Sequence, residues 1–183
     1  MIKTPIKAIL DDAFAAANAK RKSSLPPLAH IVVATKSGKT EKINQWLEEN
    51  HVDFVRFNAS RRKLQSISRK VNPEVAFPAE AAAFNTMTQE KVNYVFREEE
   101  IAEMSKPGKV IFIDNYDWAS LETRQQLLDL ICHSKIVDPS VKTFDHKRVL
   151  DGIKMIIVVT HPTQKEGIEA YSDIEQRIFG QQD

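Results

Sequence analysis

The sequence predicts an α/β fold on a mainly parallel sheet, and three observations carry that expectation. Ile31-Val32-Val33-Ala34 is a β-branched run without helical period. A polar turn over 35–40 follows it, then Ile43, Trp46 and Leu47 on one helical face, then the alternation Val52-Asp53-Phe54-Val55-Arg56-Phe57. Strand, turn, helix, strand is the pattern of a βαβ unit, whose strands pair in parallel. Two further short apolar runs, over 110–114 and 154–160, have the continuous hydrophobicity of strands covered on both faces.

Composition narrows the class. The 183 residues are 42% hydrophobic, 28% charged and 8% aromatic, which excludes a disordered tail, a collagenous repeat and a small disulfide scaffold. A chain below ~250 residues is expected to form one core. Residues 1–27 read as an N-terminal helix with a basic linker, and 28–183 as the core. Lys and Arg number 26 against 25 Asp and Glu, so a net charge of +1 supplies no whole-molecule attraction for nucleic acid or anionic membrane. The single cysteine, Cys132, has no intrachain partner, and Leu130 and Ile131 beside it mark a buried, inert thiol, in keeping with a reducing cytoplasm. No apolar run nears the ~20 residues of a membrane span, and Asp11 and Asp12 interrupt the stretch a signal peptide would need.

Along the chain, Ile6, Ile9, Leu10, Phe14 and Ala17 predict a helix over 4–20, followed by the basic, proline-ended connector 20–27. The helix over 41–50 stops at Asn50. From 58 to 96 the pattern weakens, broken by Pro73 and Pro78, with 79–83 helical in composition. Residues 98–105 read as a charged helix, and Pro107-Gly108 turns into the strand 110–114. Leu121, Leu127, Leu128, Leu130 and Ile131 give an amphipathic helix with Ser120 and Thr123 as caps. Residues 135–152 read as a loop or hairpin, His161-Pro162 ends the strand 154–160, and Ile168, Tyr171, Ile174 and Ile178 mark a last helix.

The chemistry centres on Ser37-Gly38-Lys39-Thr40 in the strand-to-helix turn, where backbone N–H groups at a helix N-terminus hold phosphates. Lys39 would reach the β- and γ-phosphates, with Lys36, Ser37 and Gly38 forming the loop and the Thr40 hydroxyl on magnesium. The full P-loop pattern is not met, since Val33 takes the first glycine position and Lys36 a position often glycine. A second acid is needed at a neighbouring strand end to support the metal, and Asp114 stands there. On its own, an Asp after an apolar strand is a plain strand end.

Val110-Ile111-Phe112-Ile113-Asp114-Asn115-Tyr116-Asp117-Trp118-Ala119-Ser120, with Gln125-Gln126-Leu127-Leu128-Asp129-Leu130, resembles the Walker B segment and following helix of AAA+ ATPases, especially the MoxR-like branch. Ile156-Ile157-Val158-Val159-Thr160-His161-Pro162 is similar to that family's sensor 1 strand, and Asp173-Ile174-Glu175-Gln176-Arg177-Ile178-Phe179 to its arginine-finger segment. The resemblance runs from about His30 to Phe179 and implies a P-loop NTPase-like three-layer sandwich that binds ATP and Mg and works in an oligomer. By position it gives Lys39 and Thr40 to phosphate and magnesium, Asp114 to the metal, His161 to sensor 1 and Arg177 to the finger. Asn115 stands where the family has its water-polarising glutamate, and an amide cannot accept the proton. His161 replaces an asparagine, and the chain stops at Asp183 without room for a helical lid. The expectation is an ATP/Mg-binding module with weak or absent hydrolysis.

The alternative is a non-catalytic scaffold that binds nucleic acid or a partner protein without nucleotide. Arg56, Arg61, Arg62, Lys63, Arg69 and Lys70 lie in a stretch without acids, as a phosphate-backbone contact requires, although a solvated face or a contact with a neighbouring subunit has the same composition. An active ATPase using Asp117 is the least favoured reading, since Asp117 has the position of a helix cap. His30, His51, His133 and His146 have no metal-ligand spacing.

Overall fold

The structure is a computed structural model that describes residues 5–19, 25–33, 38–71, 88–142, 145–162 and 170–180. Its centre is a four-stranded, all-parallel sheet of β1 (Leu28–Val32), β2 (Phe54–Asn58), β5 (Val110–Asp114) and β8 (Met155–Thr160), in the spatial order β1-β8-β5-β2. The inner strands β5 and β8 are buried along their whole length, which is why they read as unbroken apolar runs.

Chain order and sheet order together place the helices. From β1 the chain passes through α2 (Lys39–Glu49) to the far edge at β2, and then returns strand by strand through β5 to β8. Crossovers of one hand that reverse direction must lie on opposite faces. On one face α1 (Ile6–Asn18) and α2 bring Leu10, Ala13, Ile43, Trp46 and Leu47 against Ile31, Phe112, Ile157 and Val159. On the other, α3 (Glu98–Met104), α4 (Leu121–His133) and α5 (Asp173–Phe179) bring Ile101, Met104, Leu127, Leu130 and Phe179 against Phe57, Ile111, Ile113, Ile156 and Val158. The result is the P-loop NTPase-like three-layer sandwich that the sequence predicts.

Two short ribbons stand outside this sheet. β6 (Lys135–Val137) and β7 (Lys147–Val149) pair antiparallel within 135–152, where the sequence leaves a loop or a hairpin open. β3 (Gln65–Val71) and β4 (Thr88–Tyr94) form an antiparallel ribbon in the stretch where the sequence offered no clear element. Only Val92 among its described side chains is buried, and Ile67 is exposed, so the ribbon lacks the apolar pattern that marks core strands. The helical composition at 79–83 lies outside the described residues. Cys132 is half-buried rather than fully enclosed; burial, and then the charge of Asp129, push its thiol pKa up, so it is a poor nucleophile.

Candidate functional site

In an open parallel sheet, ligands bind beyond the carboxyl ends of the strands, where adjacent connections leave toward opposite faces. Here that point lies between β1, whose chain leaves to α2 on one face, and β8, whose chain leads to α5 on the other. The two strands run in register from Leu28↔Ile156 to Val32↔Thr160, so Gly38 and Lys39 follow one strand tip and His161 the next.

Gly38 caps α2 with φ 67°, a left-handed conformation that costs glycine little and turns the chain into the helix. Lys39 folds back across the turn, its Nζ donating to the carbonyl of Val32 at 3.0 Å. Lys39 and Thr40, both half-buried, open the helix at its positive end. A groove of about 500 Å³ between α1 and α2 lies beside Lys39, with Lys7, Leu10, Lys42 and Trp46 in its walls. Lys36 and Ser37 fall outside the described residues.

Strand alternation aims Asp114 correctly. Val110 and Phe112 belong to the cluster under α1 and α2, while Ile111 and Ile113 belong to the opposite one, so Asp114 falls on the α2 side. Its Oδ1 accepts from the Asn115 amide at 2.9 Å and lies 3.3 Å from His161 Nε2, and its Oδ2 accepts from Arg56 Nη2 at 3.1 Å. Asn115 has φ 56°, and its Nδ2 donates to Asn58 Oδ1 at 3.1 Å. The register Asn58↔Asp114 sets Asn58 level with the acid, and Arg56, two residues earlier on β2, shares its face.

Asp117 does not cap the following helix. Ser120 does, accepting from the Thr123 amide at 3.3 Å, whereas Asp117 is fully buried and accepts from the His161 amide at 2.8 Å. Trp118 Nε1 donates to the His161 carbonyl at 2.9 Å, so the turn Tyr116–Trp118 holds the backbone of His161 at both ends. Beneath it His30 Nε2 meets Thr160 Oγ1 at 2.7 Å, with its ring edge-on to Phe179. Burial lowers the His30 pKa to about 4, against a smaller opposing pull from Asp117, which keeps the imidazole neutral.

Arg177 lies apart from this cluster, exposed on α5. Its helix is anchored by Glu175, which accepts from Tyr116 Oη at 2.6 Å and faces the buried Arg124, whose Nη2 and Nε each lie 3.2 Å from a carboxylate oxygen. Ser172 and Glu175 complete a reciprocal cap. Of the basic stretch, Arg62 forks onto Glu100 and lies 4.4 Å over the Phe57 ring, Arg61 and Lys63 are solvent-exposed, and Arg69 and Lys70 lie on β3 level with Glu90 and Gln89. Arg56 and Arg62 thus have acids that come from distant segments.

Among the described residues no group of three or more His, Cys, Asp or Glu could hold a metal by itself, and no helix is long and apolar enough to cross a membrane. The Thr40 hydroxyl and the Asp114 carboxylate are hard oxygen donors of the kind that suits magnesium, which takes few protein ligands and completes its shell with phosphate and water. With Oδ1 held by the Asn115 amide, Oδ2 is the oxygen through which Asp114 would meet a metal's water shell. Asn58 was not singled out by sequence, and Arg56 was read only as part of the basic stretch. Their pairing with 114 and 115 crosses two strands, and the available signal was an Arg-x-Asn ending on the sheet-facing alternation of β2. No family model matches the chain, and no curated protein matches it either.

Proposed function

We propose that the chain is an ATP- and magnesium-binding module of the AAA+ type, with slow or absent hydrolysis, that works in an oligomer or with a partner in the cytoplasm. The observation that carries this reading is the convergence of Gly38-Lys39-Thr40, His161 and Asp114 at the tips of three adjacent parallel strands, with Asp114 on the α2 side. Lys39 leaves the Val32 carbonyl for phosphate oxygens, and the helix terminus and Thr40 meet the same charge. Thr40, and Asp114 through water, would hold magnesium, which would supply charge neutralisation to the phosphates. The groove beside Lys39, with Lys7 and Lys42 in its walls, would take the rest of the nucleotide. His161, whose backbone Asp117 and Trp118 hold, keeps its Nε2 beside Asp114 Oδ1, and Asn115 would orient water without taking its proton.

The test is calorimetric titration with ATP and magnesium, repeated with Lys39→Ala. Binding should weaken about 10- to 100-fold in the variant, the ~1.5–3 kcal/mol of hydrogen bonds to a charged group. Equal affinity in both proteins would move the site elsewhere.

One observation favours the nucleotide-free scaffold: the Arg56–Asp114 ion pair satisfies the acid without a metal. On that reading Arg61 and Lys63 face nucleic acid, ATP gives no heat, and RNA or DNA affinity falls steeply with salt.

A further inference from the structure

Arg56 and Asp114 form an unequal pair. The Asp114 side chain is 8% exposed and fixed by the Asn115 amide, whereas Arg56 is 45% exposed and reaches in from the edge strand. The acid is the stationary member and the guanidinium the one free to leave. The two carboxylate oxygens also differ. Oδ1 faces inward to Asn115 and His161, while Oδ2 accepts from Arg56. The oxygen through which Asp114 can engage an incoming cation is therefore the one a resident cation covers. Arg56 also lies over the Phe112 ring at 5.3 Å from its centroid, a stacking contact that supports the covering position.

From this geometry, and resting on the nucleotide reading above, we infer that Arg56 is a built-in competitor of magnesium at Asp114, so that the acid becomes available only when a divalent cation displaces the guanidinium. An arginine stays charged throughout the accessible pH range, so deprotonation cannot open the site. Opening would come from cation exchange: Asp114 Oδ2 would turn to the hydrated metal, and Arg56, already 45% exposed on the edge strand, would pass to solvent. The covering pair keeps Asp114 satisfied in the nucleotide-free protein, where a buried, unpaired carboxylate would be costly.

The experiment measures the magnesium concentration that gives half-maximal ATP binding, by equilibrium dialysis of the full chain at fixed ATP, for the unmodified protein, Arg56→Gln and Arg56→Lys. Arg56→Gln should lower that midpoint about fivefold, the loss expected when a partly exposed ion pair is removed. Arg56→Lys, which keeps the charge but not the fork, should lower it less. On an Asp114→Asn background Arg56→Gln should shift nothing, because the group competed for is gone. A midpoint that stays unchanged or rises in Arg56→Gln, while the unmodified protein binds ATP, overturns the competition alone. An unmodified protein that binds no ATP at any magnesium concentration overturns the nucleotide reading, and this inference with it.

Discussion

Asn115 has a structural reason to be asparagine that is independent of chemistry. Its φ of 56° lies in the left-handed region, where asparagine is among the few tolerated side chains, and its amide donates to Asn58 Oδ1. A glutamate there would lose the preferred conformer and set a carboxylate against an acceptor already engaged by Ser60. Asn115→Glu should therefore destabilise the fold by about 1–2 kcal/mol in urea unfolding, the sum of backbone strain and a lost hydrogen bond. Asn115→Gly should cost less, since glycine accepts the backbone freely. An Asn115→Glu protein as stable as the original would show that the turn can relax around a carboxylate. The identity of residue 115 is thus coupled to the conformation of the turn that follows β5.

At the scale of elements, an ionic cluster ties the helix α5 to α4 and to the turn Tyr116–Trp118. Arg124 and Glu175 are both almost fully buried and ion-paired, with Tyr116 donating to the same carboxylate; burial and that hydrogen bond raise the Tyr116 pKa far above its ordinary range, so it remains a donor. Replacing Arg124 with methionine leaves Glu175 buried without its counter-charge, and should cost about 3–5 kcal/mol in urea unfolding. Hydrogen exchange should show α5 losing protection first, and uniform loss across all helices would assign the cluster to the core at large. Some elements were readable in advance for a physical reason. Strands 110–114 and 155–160 are covered on both faces and so carry continuous apolar sequence, and 121–133 has its cap and its stripe. The β3–β4 ribbon was not, because it buries little and its polar residues carry no period tied to a core. The same contrast holds at the site. Gly38, Lys39 and Asp114 are placed by their own neighbours in sequence, whereas Arg56 and Asn58 acquire their role only through the β2–β5 register.

For the molecule as a whole, the half-buried His30 predicts how stability depends on pH. Unfolded, the ring takes up a proton near pH 6.5; folded, it resists down to about pH 4. Between those values the unfolded chain binds more protons, so stability falls as pH drops through the window and is level above it. With allowance for the partial exposure of the ring, the loss should be about 2 kcal/mol by pH 4.5. Urea midpoints at pH 7.5 and 4.5 measure it, and His30→Asn, which keeps a polar partner for Thr160 but does not titrate, should flatten the difference. An unchanged slope in that variant would assign the acid sensitivity to other groups.

The strand order also has a consequence for how the protein is made. Among the described residues of the central sheet β1 has a single neighbour, β8, which is also what joins it to the β5–β2 pair. During synthesis residues 28–32 therefore emerge long before 155–160 exist to receive them, and until then they have no sheet partner. A growing chain can pair β2 with β5 and lay α4 over them, yet it cannot seat β1. Pairing so distant in sequence is slow and leaves strand edges open to other chains. Nascent chains halted before residue 155 should thus be protease-sensitive at β1 while β2 and β5 are already protected, and the strand tips that carry Lys39, Asp114 and His161 should come together in one step, when the last central strand is inserted.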